Sequence, residues 1–196
     1  MNDINIGFFD ELLNRPTGES AIDKNHAFLI FSTVVSKKPE NILEIGIGEG
    51  IATYALYGGI KYNGIGNLTC VDNWSDFDGQ PPPHIEFFES QGINIIAPME
   101  EKNFILNSPS NTYDFIVSDG DHMHSHEWIE DTLRIAKDNA VLFFHDTNSD
   151  GNNNVSFATK KILERIKDLK LPYYHFTESS RPDERCNRGL LMVFKK

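Results

Sequence analysis

The stretch Asn41-Ile-Leu-Glu-Ile-Gly-Ile-Gly-Glu-Gly50 decides how the rest of the chain is read. Ile42, Leu43 and Ile45 make an apolar run around Glu44, and Gly46, Gly48 and Gly50 follow at alternate positions. The run predicts a strand, the glycines a tight turn, and the residues from Ile51 a helix. A glycine turn leaves room for a ligand against the main chain, because no side chain stands in the way. The spacing departs from the dinucleotide fingerprint Gly-x-Gly-x-x-Gly. Begun at Gly46, that pattern puts Ile51 where its third glycine should close helix onto strand. Glycines also serve as plain punctuation between strand and helix, so the flanking sequence has to separate a binding loop from a connector.

Working outward, Phe8, Phe9, Leu12 and Leu13 predict a short amphipathic turn near the start. Ala27, Phe28, Ile30, Phe31, Val34 and Val35 recur at helical spacing, with Ser20–Asp23 as a cap and Lys38-Pro39 as the stop. Beyond Gly50 the pattern predicts helix 51–57, strand 67–72, a Pro-rich loop at 80–83, helix 84–90, strand 93–96 and helix 99–106. Strand 113–118, helix 124–137, strand 140–145, an Asn/Gly loop at 148–154 and helix 155–169 follow. Strand 173–177, a polar loop at 178–187 and strand 189–195 complete the chain. Strands alternating with helices imply right-handed crossovers and a mostly parallel sheet covered on both faces. The last two strands lack an intervening helix and should pair as an antiparallel hairpin. No internal repeat or linker appears, so residues 1–196 read as one domain, with 1–38 an N-terminal helical lid and 39–196 the core.

A chain of 196 residues with 39% apolar and 11% aromatic residues suffices for one globular core. Its net charge is −11 and it has no block of Lys or Arg, which argues against nucleic acid as a partner. No apolar run approaches the roughly 20 residues of a membrane span. The opening Met1-Asn-Asp-Ile-Asn lacks the basic region of a secretory signal. Cys70 and Cys186 show no pairing or metal-ligand spacing. A cytoplasmic protein is the expectation.

Two further strand ends carry chemistry. Leu68-Thr-Cys-Val-Asp72 finishes on an acid, and in parallel sheets ligands bind outside the carboxyl ends of the strands, where an acid can accept ribose hydroxyls. Asp72 could instead open the Asp72-Asn73 turn, though its distance from the glycine loop favours the ribose role, and Trp74 could lie against a nucleobase or in the core. Tyr113-Asp-Phe-Ile-Val-Ser-Asp-Gly-Asp-His122 and Val141-Leu-Phe-Phe-His-Asp-Thr147 end on Asp119, Asp121 and His122, and on His145 and Asp146. Adjacent strands ending together would gather these groups at one rim, a donor set suited to a divalent cation. Strand-end anchoring and helix capping remain the plain reading of the same residues. His124 and His126 lie where the chain opens a helix and diverge by about 200°, so they read as solvent-facing or substrate-near. Phe87-Phe88 and Tyr173-Tyr174 read as core and strand packing.

Together these motifs resemble class I S-adenosylmethionine (SAM) methyltransferases, over roughly residues 20–195. The Glu44-x-Gly-x-Gly-x-Gly50 loop is similar to their nucleotide loop. The Asp-Gly-Asp-His and His-Asp strand ends resemble the metal-dependent O-methyltransferase branch, which includes catechol and macrolide-sugar enzymes and cephalosporin-hydroxylase-like proteins. The resemblance implies a Rossmann-like α/β fold whose seven-stranded sheet ends in an antiparallel hairpin. It implies SAM bound by Glu44, Gly46, Gly48, Gly50, Asp72, Asn73, Trp74 and Asp119. It also implies a divalent cation such as Mg²⁺ or Mn²⁺ on Asp119, His145 and Asp146, with His122 as general base toward a small-molecule hydroxyl. The departure is His145, where such relatives often carry an acid; a neutral ligand favours softer cations over Mg²⁺. The short N-terminal region points to an open site or to one completed by a partner subunit, a homo-oligomer. A metal-independent methyltransferase and a non-catalytic nucleoside binder are the rival readings, while Ile51 disfavours a nicotinamide oxidoreductase.

Overall fold

The computed structural model describes residues 22–147, 157–177 and 188–196. The expected turn at Phe8–Leu13, the cap at Ser20, the loops at 148–154 and 178–187, and Cys186 lie outside the described residues. The described elements are α1 (Lys24–Lys37), β1 (Asn41–Ile45), α2 (Ile51–Asn63), β2 (Asn67–Val71), α3 (Ile85–Ser90), β3 (Asn94–Ile96) and α4 (Glu101–Asn107). They continue with β4 (Tyr113–Ser118), α5 (Ile129–Ile135), β5 (Ala136–His145), α6 (Phe157–Asp168), β6 (Tyr173–Phe176) and β7 (Leu190–Phe194). Single 3₁₀ turns at Ser75–Phe77 and Ser125–Trp128 lie between them.

The strands form one seven-stranded sheet in the order β3-β2-β1-β4-β5-β7-β6. Strands β1 to β5 pair in parallel, and β7 runs antiparallel between β5 and β6. This is the Rossmann-like methyltransferase fold expected from the sequence. Side chains alternate across each strand. Ile42, Phe115 and Phe143 therefore pack with α1 and α2 on one face. Leu43, Ile45, Ile116, Leu142 and Phe144 pack with residues of α4, α5 and α6 on the other. In register, Ile45 stands beside both Val71 and Ser118, and Ser118 beside Phe144, so β1, β2, β4 and β5 end at one edge.

Three elements depart from the sequence reading, each for a tertiary reason. First, α2 continues past residue 57 to Asn63 and stops at Gly64 in the left-handed conformation. Gly58-Gly59 lies inside the helix and marks the packing of α2 on α1: a Cβ on Gly59 would stand 2.5 Å from Val34 Cγ1. Second, the predicted helix 124–137 is a 3₁₀ turn followed by α5, and the chain becomes extended at Ala136. The polar Lys137-Asp138-Asn139 is a bulge in β5, with Asn139 left-handed and its N–H bonded to the Lys195 carbonyl at 3.0 Å. Third, Tyr173 and Tyr174 are exposed on edge strand β6, and Phe87 is exposed on α3 while its neighbour Phe88 is fully buried. At the start of α1, Asp23 occupies the cap position without a side-chain capping bond. Among the described residues no helix is long and apolar enough to cross a membrane.

The α1–α2 contact can be tested. An alanine inside an exposed helix is favoured over glycine by about 1 kcal/mol. At position 59 it would instead overpack against Val34, at a cost of about 1–3 kcal/mol. Gly59→Ala should lower the urea midpoint, and a raised midpoint would show that the helices separate there without cost.

Candidate active site

The loop after β1 is held by close backbone approach. Gly46 has φ +81°, and a Cβ there would lie 2.3 Å from the Asp119 carbonyl oxygen. The Gly46 N–H donates to Val71 O and the Asp119 N–H to Ile45 O, at 2.9 and 2.8 Å. Gly50 fits under the Phe88 and His84 rings, and His84 Nε2 lies 3.1 Å from the Gly48 carbonyl oxygen. His84, which no sequence pattern signals, thus closes the loop from the side of the Pro-rich segment.

Asp72 stands where β2 ends, and its carboxylate is engaged with the same loop. Oδ2 accepts from the amides of Ile47 and Gly48 at 2.7 and 3.3 Å, and Oδ1 accepts from the Trp74 amide at 2.7 Å. A carboxylate has about four acceptor directions, so about one remains for a ligand hydroxyl. Asn73 caps its own turn through Ser75 N–H at 2.9 Å. Trp74 is only 3% exposed and packs in the core beside Phe88 and Ile85, which leaves little of its ring for a nucleobase. Glu44 lies wholly buried beneath the loop, where the Cys70 thiol donates to its Oε2 at 3.0 Å. Burial pushes the Glu44 carboxyl up to about 8, an effect the thiol offsets only in part. This acid is therefore neutral at pH 7 and separated from solvent.

The ends of β4 and β5 bring together Asp119, His145 and Asp146, whose ligand atoms all lie within 4.8 Å of one another. His145 Nδ1 is 2.9 Å from Asp119 Oδ1 and 3.5 Å from Asp146 Oδ1. Burial alone would lower the His145 pKa, but the two carboxylates outweigh it and raise it. Burial works against the charge on Asp119 too, yet His145 holds that carboxyl below its ordinary range. For Asp146 burial prevails, with Asp119 adding to it, and the carboxyl is raised. Arg188, just before β7, adds positive charge to the same neighbourhood. His145 Nε2 is buried without a hydrogen-bond partner among the described residues, and the buried His26 ring of α1 meets His145 edge-on at 5.4 Å.

His122 reaches the rim from the turn after β4. Its Nε2 is 3.5 Å from Asp146 Oδ2, and its side chain is 33% exposed. His124 pairs instead with Asp121 at 2.9 Å, and His126 approaches Lys161 at 3.4 Å, so neither joins the cluster. Next to His26 a cavity of about 420 Å³ is lined by Asn25, His26, Leu29, Phe176 and Thr177. Neither His26 nor Glu101, which braces the Asp119–His122 turn from α4, carries a signal in the local sequence.

A family model described as a methyltransferase domain matches residues 43–147, more than half of the chain. Several solved structures share the fold. An O-methyltransferase from Bacillus cereus in complex with SAH superposes with a TM-score of 0.71 at 16% identity, covering 97% of this chain and 91% of that one. The O-methyltransferase TomG from Streptomyces achromogenes, involved in tomaymycin synthesis and in complex with SAM, gives 0.70 at 12% identity, covering 100% and 91%. A putative caffeoyl-CoA O-methyltransferase from Staphylococcus aureus gives 0.68 at 16% identity, covering 100% and 93%. Among curated proteins none matches the chain.

Glu44 couples the site to stability. Unfolded, a glutamate titrates at about 4.3; in the folded chain Glu44 titrates at about 8. Between these values the native state holds a proton that the unfolded state has lost, so raising the pH across that window destabilises the fold, by several kcal/mol in all. Glu101, pushed up to about 7 mainly by burial, acts with the same sign. Glu44→Gln should flatten the fall of Tm between about pH 5 and pH 8. Equal slopes in variant and wild type would mean that Glu44 is solvated in the native state.

Proposed function

The chain belongs to the methyltransferase-domain family, and from that premise we propose that it moves the methyl group of SAM to a hydroxyl of a small-molecule acceptor at the shared edge of β1, β2, β4 and β5. The carrying observation is the convergence of the glycine loop, the Asp119/His145/Asp146 cluster and His122 at that edge. In this reading residues 39–196 are the catalytic core and 1–38 its cover. The loop at Gly46–Gly50 meets the amino-acid end and sulfonium of SAM through its backbone. Asp72 sets the loop's shape through the Ile47 and Gly48 amides and offers its remaining lone pair to the ribose. The cavity beside His26, at about 420 Å³, is within the range that holds one small acceptor.

Methyl transfer needs an in-line approach of oxygen to the sulfonium carbon, so the chain's main task is positioning. The three donors of the cluster fit one divalent ion, because ligand atoms within 4.8 Å can share a centre at ordinary bond lengths. Asp119, His145 and Asp146 would hold it, and the softer Mn²⁺ or Co²⁺ suit the imidazole better than Mg²⁺ does. Such an ion lowers the pKa of a hydroxyl and fixes its direction. His122, whose Nε2 faces Asp146, accepts the acceptor's proton at its other ring nitrogen, Nδ1. A second reading is favoured by the His145–Asp119 contact of 2.9 Å: an imidazolium there neutralises the Asp119 carboxylate, and the enzyme works without metal.

Calorimetry with S-adenosylhomocysteine (SAH) against NAD tests the premise, with binding expected for SAH alone. Asp72→Ala, which removes an acceptor from three amides, should cost about 2 kcal/mol of SAH affinity. Unchanged affinity would take Asp72 out of the site.

With labelled SAM and a panel of phenols and sugars as acceptors, chelation should abolish transfer and Mn²⁺ restore it; full turnover after chelation would favour the metal-free reading. His122→Ala should slow transfer by about a hundredfold to ten-thousandfold with SAH affinity unchanged. A folded variant with wild-type rates across the pH range would end that assignment.

A further inference from the structure

We propose that Glu101 is a positioning residue, a buried clamp that fixes the turn carrying Asp119 and His122. The inference rests on the functional reading above but concerns a side chain outside the reacting groups. Glu101 opens α4, the element before β4 and twenty residues ahead of Asp121, and is buried. Its Oε2 accepts from the Asp121 N–H and its Oε1 from the Trp128 indole N–H, each at 2.8 Å. One carboxylate therefore holds both ends of residues 121–128, the segment that delivers His122. The contact is close enough to dictate the neighbouring residue as well: a Cβ on Gly120 would stand 2.4 Å from Glu101 Oε2.

The rest of the turn is organised around these two bonds. Asp121 Oδ1 accepts from the amides of Met123 and His124 at 2.9 and 3.0 Å, and Ser125 N–H returns to Asp121 O at 3.1 Å. The Asp119 N–H is tied to Ile45 O on the other side of Gly120. The turn is thus pinned at its start by β1 and along its length by Glu101, while the His122 ring projects toward Asp146. Lys102 lies over the Trp128 ring at 5.5 Å and pairs with Glu127 at 3.6 Å, covering the clamp from solvent. A carboxyl group buried between two N–H donors forms directional bonds, and losing one strands a buried donor. A glutamine at 101 has a single acceptor oxygen and cannot serve both donors; its amide group must face one of them.

The test uses the full chain with SAH and Mn²⁺ as probes, in wild type, Glu101→Gln, Trp128→Phe and the double variant. Glu101→Gln should weaken Mn²⁺ binding tenfold or more, by calorimetry and by its electron paramagnetic resonance spectrum. SAH affinity should stay within about threefold, because Asp72 braces the glycine loop independently. In the double variant the indole donor is gone, the amide oxygen returns to Asp121 N–H, and Mn²⁺ affinity should recover to within about threefold of Trp128→Phe alone. A purely structural role would lower Tm without this rescue. If Glu101→Gln fails to fold, Glu101→Asp, which keeps the charge but withdraws the oxygens by one methylene, should show the same loss of Mn²⁺. Wild-type Mn²⁺ affinity in a folded Glu101 variant overturns the clamp and leaves the methyltransferase reading intact. If wild type binds SAH but no Mn²⁺, the metal assignment falls instead, and the clamp is read from the His122 imidazole resonances. These should shift on SAH addition in wild type and fail to do so in Glu101→Gln; identical shifts overturn it. A wild type that binds neither probe overturns both.

Discussion

The rim depends on one steric fact, the passage of Gly46 against the Asp119 carbonyl with no space for a side chain between them. Parallel strands β1 and β4 leave the sheet side by side, and their first residues beyond the ladder must diverge without forcing the sheet apart. Glycine at 46 lets the β1 connection turn immediately, and the Asp119 N–H bond to Ile45 O keeps β4 in step for one residue more. The loop on one side and the acidic turn on the other are consequently formed at a fixed separation. What the loop presents at that edge is largely backbone, whose position is set by the sheet.

Around that contact the same functional group, a carboxyl, is put to different uses by different surroundings. Glu44 is buried and kept neutral, with a thiol as its donor. Asp72 spends most of its lone pairs on loop amides and acts as a bracket. Asp119 keeps its charge because an imidazole lies beside it. Glu101 binds an amide and an indole and carries no ligand. Four acids lie within one region of a chain with net charge −11, and each is stabilised by its own partner instead of by solvent. Crowding those carboxylates that stay charged costs stability.

The helical side adds a cavity next to the cluster. α1 is anchored on α2 through the bare surface of Gly59, and that docking brings His26 onto His145 and shapes the cavity with Phe176 and Thr177. The cavity thus has one wall from α1 and one from the end of β6. Its lining mixes imidazole, carboxamide, hydroxyl and apolar groups.

The sequence by itself determined the order of strands and helices, because apolar periodicity and glycine turns are local signals. It also pointed to Asp119, His122, His145 and Asp146 as neighbours, because parallel strands that end together share one edge. Tertiary structure alone decided how those groups are held. Glu101 is brought to the turn by the α4 crossover, and nothing in Met99-Glu100-Glu101 distinguishes it from a solvated acid. Asp72 was legible as a strand-end acid, but its engagement with Ile47 and Gly48 follows from the register of β1 beside β2. Trp74 could be rim or core on sequence, and the carboxylate that captures its N–H accompanies its burial in the core. The sequence pattern ended the helix at residue 57, and the packing of α1 on Gly59 accounts for the glycines inside the longer α2. The division has a physical cause: periodicity and turn propensity act between residues a few positions apart. Side-chain hydrogen bonds and close packing form between residues that only the completed sheet brings together.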